Sequence, residues 1–309
     1  MWYNTIEVFP SGETVSGSWL KGFCGNMMYE DIHCQYDKNI IQTVSCQEDW
    51  FMAVYVVSDL HGQYDLFVRG LERIGFSGTD KLYVIGDAID RGPDGIKILQ
   101  KIFAEDNMEL LMGNHEFMML NSVDPDGKSE CYGRDSNIWL HYNGGEVTFK
   151  AYCELSVPDR IELLNKLSQC YLIRILEISG RKICLTHSYY NEACVGKRYC
   201  EMSYDQVSEV VWKNPYRTDS HTHGDFIYEN YDYTFVSGHV PVQRLLSYSG
   251  YSGDPENPLE PDAFKKGNYI NIDGGLAMGR IKPINMKNGA VFLRLDDMEV
   301  FAEPLEQLA

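Results

Sequence analysis

The sequence predicts an α/β fold, on two observations: apolar, β-branched runs alternate with segments of helical period, and strand-like runs return in the back half. Met52-Ala-Val-Tyr-Val-Val-Ser58 reads as the first strand, and behind it Tyr64, Phe67, Leu71 and Ile74 recur at helical spacing. Lys81-Leu-Tyr-Val-Ile85 is the second strand. A helix with Pro93 near its first turn, where proline is favoured, continues through Ile96, Leu99 and Phe103. Glu109-Leu-Leu-Met112 is the third strand, and a helix containing Phe117 and Leu120 comes next. This βαβαβ order implies parallel strands with right-handed crossovers.

From about 121 to 180 the chain is rich in turns and then helical, with Ile161, Leu164 and Leu167 at the spacing of an amphipathic helix. Strands are expected over 181–186, 232–236, 268–272 and 290–294, the last pairing with 298–301 as a hairpin. Residues 251–266, with Pro255, Pro258 and Pro261, read as a polar loop. Residues 1–51 differ in character from the rest of the chain, being rich in Gly, Ser, Cys and aromatics without a sustained period. They read either as an over-called N-terminal extension with Met52 the alternative start, or as an arm packed on the domain that covers 52–309.

Composition narrows the function classes. At 309 residues, 44% hydrophobic and 23% charged, the chain is ordinary for a globular protein. Its net charge of -18 argues against a nucleic-acid binder, which presents a basic face. It does not argue against a phosphorylated substrate, because bound metal ions dominate the local field. The nine cysteines are odd in number, scattered and without a C-x-x-C pair, so a reduced, cytoplasmic protein is expected. No apolar run approaches the roughly 18 residues that span a bilayer, and no membrane partner is expected.

Three short signatures carry chemistry: Asp59-Leu-His61, Gly86-Asp-Ala-Ile-Asp90-Arg91-Gly92 and Gly113-Asn114-His115-Glu116. Taken singly, each has a plainer explanation. Asp59 and His61 suit a solvated turn, Asp87 a helix cap, Asp90-Arg91 a local ion pair, and Asn114-His115 a helix start. Taken together they do not, because each comes just after a strand and open α/β sheets place ligand sites at that edge. On extended chain Asp59 and His61 point the same way and can reach one ion. His187 and His239 also fall just beyond strand signals. Carboxylate, imidazole and amide oxygen are the mixed donors that hold divalent metals.

This order of motifs, with Trp139-Leu-His-Tyr-Asn143, Val211-Trp212, Gly238-His239-Val-Pro241 and Ile272-Asp273-Gly274, resembles the phosphoprotein phosphatase family of binuclear metallophosphoesterases. The likeness is nearest to the compact bacterial and phage, lambda-type, serine/threonine phosphatases, and it covers about 53–295. It implies a calcineurin-like two-sheet β-sandwich flanked by helices (αββα). It also implies two divalent ions, Mn²⁺ by analogy, although Fe and Zn suit the same donors. Asp59 and His61 would serve the first ion, Asp87 would bridge, and Asn114, His187 and His239 would complete the second. His115 would be the general acid for direct attack of an activated water on phosphorus, with Asp90 orienting it. Arg91 and Asn114 would bind phosphate oxygens of a phosphorylated protein or peptide.

Three positions depart from that pattern. Met112 stands where the family has an arginine, and Ser188 comes after His187 where alanine or glycine is usual. The second phosphate-binding arginine after the family's tryptophan is replaced by the run Trp212-Lys-Asn-Pro-Tyr-Arg217, leaving Lys213 or Arg217 as the substitute. Two rival functions arise: hydrolysis of symmetrical dinucleoside tetraphosphates on the same metals, and a non-catalytic binding protein on a phosphatase fold. His221, His223 and His33 read as loop residues, and His141 reads equally well as cleft lining or as packing near Trp139.

Overall fold

The protein is described from a computed structural model, over residues 53–215, 228, 230–254, 256–278 and 283–306. The 1–51 extension, Met52, His33, Arg217, His221 and His223 therefore lie outside the described residues. Two five-stranded sheets form the centre. The first takes its strands from both ends of the described chain, in the order β10-β9-β1-β2-β3. Its members are β1 (Val54–Val57), β2 (Lys81–Val84), β3 (Met108–Leu110), β9 (Gly289–Arg294) and β10 (Glu299–Pro304). The second runs β4-β5-β6-β8-β7, from β4 (Ile173–Ile178), β5 (Arg181–Thr186), β6 (Thr234–Ser237), β7 (Phe264–Lys266) and β8 (Tyr269–Asn271).

β1, β2 and β3 pair in parallel, as the βαβαβ pattern requires, while β9 and β10 close the sheet as an antiparallel hairpin. The two sheets share a core made by Val56, Tyr83 and Val291 from one and Ile183, Val236 and Ile270 from the other. The opposite faces of the same strands, through Tyr55, Val57, Leu82 and Val84, pack on helices. β1 is thus apolar without alternation because both of its faces are buried.

Helices α1 (Tyr64–Arg73), α2 (Gly95–Ala104) and α3 (Asn114–Leu120) come after the first three strands. Phe67 and Leu71 of α1, and Ile96, Leu99 and Ile102 of α2, face the core as their spacing predicts. Pro93 is not in the first turn of α2 but ahead of it. The backbone there is committed elsewhere, with the Gly92 and Asp94 N–H groups donating to the His61 and Gly62 carbonyls.

The middle holds three helices rather than one: α4 (Ser136–Tyr142), α5 (Glu146–Glu154) and α6 (Val157–Ser168). In α6, Leu163, Leu164 and Leu167 are buried and Ile161 is turned outward. Two further helices, α7 (Tyr204–Trp212) and α8 (Val242–Tyr248), flank the second sheet's strands. The 251–266 stretch ends in β7, which buries Phe264 and turns through Gly267 to pair with β8. The six described cysteines are free thiols, and no described helix is long and apolar enough to cross a membrane.

Candidate metal centre

Every chemically active side chain of the centre sits just beyond the C-terminal end of a strand or opens the helix after it. The loop after β1 carries Asp59 and His61, and the loop after β2 carries Asp87, Asp90 and Arg91. Parallel pairing continues past the strands into these loops. Asp59, His61 and Gly62 donate their N–H groups to the carbonyls of Gly86, Asp87 and Ala88, at 3.1, 2.9 and 2.9 Å. Asn114 and His115 open α3, and the His115 N–H donates to Asp87 Oδ1 at 3.0 Å. At Gly86, where φ is +92°, an added Cβ would meet Gly113 Cα at 2.5 Å. Glycine alone permits the Asp87 and Asn114 loops to approach this closely.

The second sheet supplies the remaining groups. His187 lies just after β5, His239 after β6 and Asp273 after β8. The His239 N–H donates to both oxygens of Asp59, at 3.2 and 3.0 Å, which ties the loops of the two sheets together. The six residues named from the sequence as metal ligands therefore converge. Ligand atoms of Asp87, His187 and His239 lie within 4.8 Å of one another, as do those of His61, Asp87 and His115. Asp87 stands between the two groups, with Oδ1 3.5 Å from His187 and Oδ2 3.9 Å from His61. Asp59 Oδ1 lies 4.0 Å from His61 Nε2.

The histidine rings show what the cluster is built to hold. His61 Nδ1 faces the Ile89 carbonyl at 3.3 Å, His187 Nδ1 faces that of Ile85 at 2.9 Å, and His239 has the Trp212 carbonyl as a partner. A ring nitrogen facing a carbonyl carries the proton, so the other nitrogen turns a lone pair inward. His187 Nε2 and His239 Nδ1 each lie 2.9 Å from Asn114 Oδ1. Three acceptors that share no proton repel unless a cation lies among them.

Electrostatics agree. Burial, with the charge of Asp273, pushes the Asp59 carboxyl well up, and burial with Asp59 and Glu116 does the same to Asp87. Burial holds His61 and His187 well below the usual imidazole range, and His239 at about 4. Neutral imidazoles are the ligand form that divalent ions require, and carboxyls crowded in this way release their protons when a cation binds. The donor set thus fits a pair of divalent cations.

Beside the cluster stands a second unit. His115 Nδ1 lies 2.6 Å from Asp90 Oδ2, while its Nε2 faces inward, 3.7 Å from Asp87 Oδ2. The Trp139 indole donates to the same Asp90 oxygen at 2.7 Å, and the Asp90 N–H donates to Thr148 Oγ1 at 2.9 Å. Burial pushes Asp90 up to about 7 against its hydrogen bonds with Thr148 and Trp139, and lowers His115 to about 3. The contact between the two works the other way, because a carboxylate at this distance stabilises an imidazolium.

The cluster opens into a cleft of about 240 Å³, lined also by Arg91, Asn143, Trp212, Arg244 and Met278. A larger groove of about 890 Å³ runs between α2 and α6 over Ile102, Phe103, Val157 and Ile161, and it contains none of these groups. Arg91 is exposed at the cleft, with Nη1 donating to the Ala277 carbonyl at 3.4 Å. Lys213 turns away to Glu209, Met112 is wholly buried in the core, and His141 pairs with Glu146 at the surface. Ser188 donates to the Lys213 carbonyl at 2.8 Å, so its hydroxyl has a structural partner. Sequence reasoning assigned no role to Asp273, Thr148 or Arg244. Asp273 could have been found, since it too stands just past a strand.

A family model described as calcineurin-like phosphoesterase matches residues 52–272. The chain belongs to the calcineurin-like phosphoesterase family. Among curated proteins, this phosphoesterase is 31% identical over 140 residues to a symmetrical bis(5'-nucleosyl)-tetraphosphatase of Delftia acidovorans, covering 44% of each chain. It is 28% identical over 201 residues to serine/threonine-protein phosphatase 2 of Escherichia coli, covering 63% of this chain and 83% of the relative. The chain thus spans less than half the length of the tetraphosphatases it matches. Among solved structures, a putative diadenosine tetraphosphatase superposes with a TM-score of 0.50 at 14% identity, over 84% of this chain and 96% of the other. That likeness is one of fold. The phosphoesterase accordingly has the αββα architecture expected of the family.

Proposed function

We propose that this metallophosphoesterase hydrolyses phosphoserine and phosphothreonine in proteins, with Asp59, His61, Asp87, Asn114, His187 and His239 holding two divalent ions. A bound pair of such ions supplies Lewis acidity and an activated water at neutral pH. Arg91 orients phosphoryl oxygens through its planar guanidinium, and Asn114 lines the same cleft. His115 gives the proton on Nε2 to the departing oxygen. Asp90, held by Trp139, fixes the imidazole and stabilises its protonated form.

The observation that carries this reading is the His115–Asp90 contact at 2.6 Å, with Nε2 turned to the cluster. A serine or threonine alkoxide is a poor leaving group and needs a proton as the bond breaks. A phosphoanhydride leaves as a stable anion and needs one far less. A buried, doubly oriented proton donor therefore favours monoesters. The phosphatase 2 alignment, which spans more of both chains than the tetraphosphatase alignments do, supports the same choice.

A second reading, hydrolysis of symmetrical dinucleoside tetraphosphates, is favoured by the higher identity to enzymes of that name, 44% over 139 residues in Acidovorax ebreus. Phosphate release from phosphoserine and phosphothreonine peptides, and ADP formation from diadenosine tetraphosphate, each with Mn²⁺ and with chelator, separate the two. Mn²⁺-dependent release from the peptides is expected. Cleavage of the dinucleotide alone would replace the first reading by the second.

A further inference from the structure

The cleft contains a cation that no motif announced. Arg244 stands in the first turn of α8, the helix after β6, and it lines the cleft together with Arg91, His115 and His239. Its mounting is firm. The Val242 N–H donates to the Asp273 carbonyl at 2.9 Å, and the wholly buried Gln243 donates through Nε2 to the Gly274 and Lys287 carbonyls at 3.2 and 3.3 Å. These bonds fix the start of α8 against the segment carrying Asp273. The charges of Arg91 and Arg244 both act on the buried Asp273 carboxyl, so both guanidinium groups stand near one point of the site.

Arg91 comes after a strand of the first sheet and Arg244 after a strand of the second, so each half of the fold contributes one arginine. Arg244 is exposed and, among the described residues, its guanidinium makes no hydrogen bond or ion pair, while its backbone N–H donates to the Pro241 carbonyl at 2.8 Å. An arginine anchored so closely to a cleft, yet left without a direct ion pair, has its donors free for a ligand. The other cations considered from the sequence do not compete within the described residues. Lys213 Nζ is 3.0 Å from Glu209 and 4.0 Å from the centre of the Tyr189 ring, and position 112 is a core methionine.

We propose that Arg244 is the second phosphate-recognition residue of this cleft, engaging an oxyanion of the substrate alongside Arg91. The assignment rests on the reading of the site as a phosphoester hydrolase. A cleft of about 240 Å³ is smaller than the ~300–1,000 Å³ of sites that enclose a whole small ligand. It suits the phosphoryl end of a substrate whose remainder lies outside. Arginine is suited to the task because its planar fork meets two phosphate oxygens at once, which lysine cannot do.

Inorganic phosphate is the probe, titrated calorimetrically into the Mn²⁺-loaded full chain as wild type, Arg244→Ala and Arg244→Lys. A hydrogen bond to a charged group is worth enough that Arg244→Ala should weaken phosphate binding roughly 10- to 100-fold. KM for p-nitrophenyl phosphate should rise in step while kcat changes little, and the bound metal content should match wild type. Arg244→Lys should fall between the two. Unchanged phosphate affinity and KM in Arg244→Ala would overturn the assignment. Should that variant fail to fold, Arg244→Lys decides: weakened phosphate binding supports the proposal and wild-type affinity overturns it. Because the titration needs no turnover, failure of the wild type on phosphopeptides would sink the phosphoprotein reading and leave this test intact.

Discussion

His115 shows how much of this site depends on single atoms. One ring nitrogen is held by Asp90 and the other faces the cluster, so replacing the ring by an amide removes the proposed proton donor while keeping a polar group of similar reach. His115→Asn should lower kcat roughly 10²- to 10⁴-fold on phosphoserine peptides. The loss should be much smaller with p-nitrophenyl phosphate, whose leaving group needs little protonation; an equal loss on both would remove His115 from the role of acid. The backbone around these atoms is itself unusual. Of eight non-glycine residues with positive φ among those described, six belong to the site: Asp59, His61, Asp87, Asp90, Arg91 and His239. Such conformations cost on the order of 1–3 kcal/mol each and persist where surrounding structure over-determines them. Here the loop-to-loop hydrogen bonds do so, from His61 to Asp87 and from Gly92 to His61. Nothing in a one-dimensional sequence announces this strain. Asp and His are simply the residues that tolerate it best after glycine and asparagine.

At the scale of elements, legibility tracks burial. β1 and β2 could be read because both faces are covered and the runs are apolar without interruption. β4, Ile-Arg-Ile-Leu-Glu-Ile, is an edge strand with mostly half-exposed residues, and its pattern is lost in a region that reads as turns and helix. α4 and α5 blurred for a related reason, since Ile138, Tyr142 and Val147 are exposed apolar residues that break the helical stripe. The three loops that bear the proposed ligands were legible as motifs, yet what fixes them to one another was not. Glu116, in the first turn of α3, accepts from the N–H groups of Asp87 and Gly113 at Oε2 and of Ala88 at Oε1, at 2.9, 3.2 and 2.8 Å. It joins the start of α3 to the loop after β2. Glu116→Gln leaves one acceptor oxygen for donors on both sides, and a buried donor without a partner costs about 1–3 kcal/mol. The variant should unfold at lower urea concentration and bind Mn²⁺ more weakly, the second effect arising because Asp87 loses its support. Wild-type values in both measurements would show that the loops hold their geometry without Glu116.

At the scale of the whole molecule, the centre exists only because two sheets meet. Asp59, His61, Asp87 and Asn114 come from the first, and His187, His239 and Asp273 from the second. The sequence could mark each of the six proposed ligands, because a post-strand position is a local property. It could not mark Arg244, which lies within a helix and reaches the cleft only through the packing of α8 on the Asp273 segment. The same convergence gathers Asp59, Asp87, Glu116 and Asp273 in one buried region of a chain whose net charge is already -18. Mutual repulsion and burial then oppose folding until a cation offsets them. Ions that bind only the folded form stabilise it by about 2.7 kcal/mol at a hundred times Kd, about 5–10 °C in Tm for a domain of this size. Chelator-treated protein should melt lower than the Mn²⁺-loaded form by that amount. Asp87→Asn, placed between the two halves of the cluster, should lose most of the Mn²⁺ response while melting near or above the chelated wild type, because it removes one of the repelling charges. Identical melting with Mn²⁺ and with chelator would mean that the acids are satisfied by the protein alone and that the cluster is not built around metal.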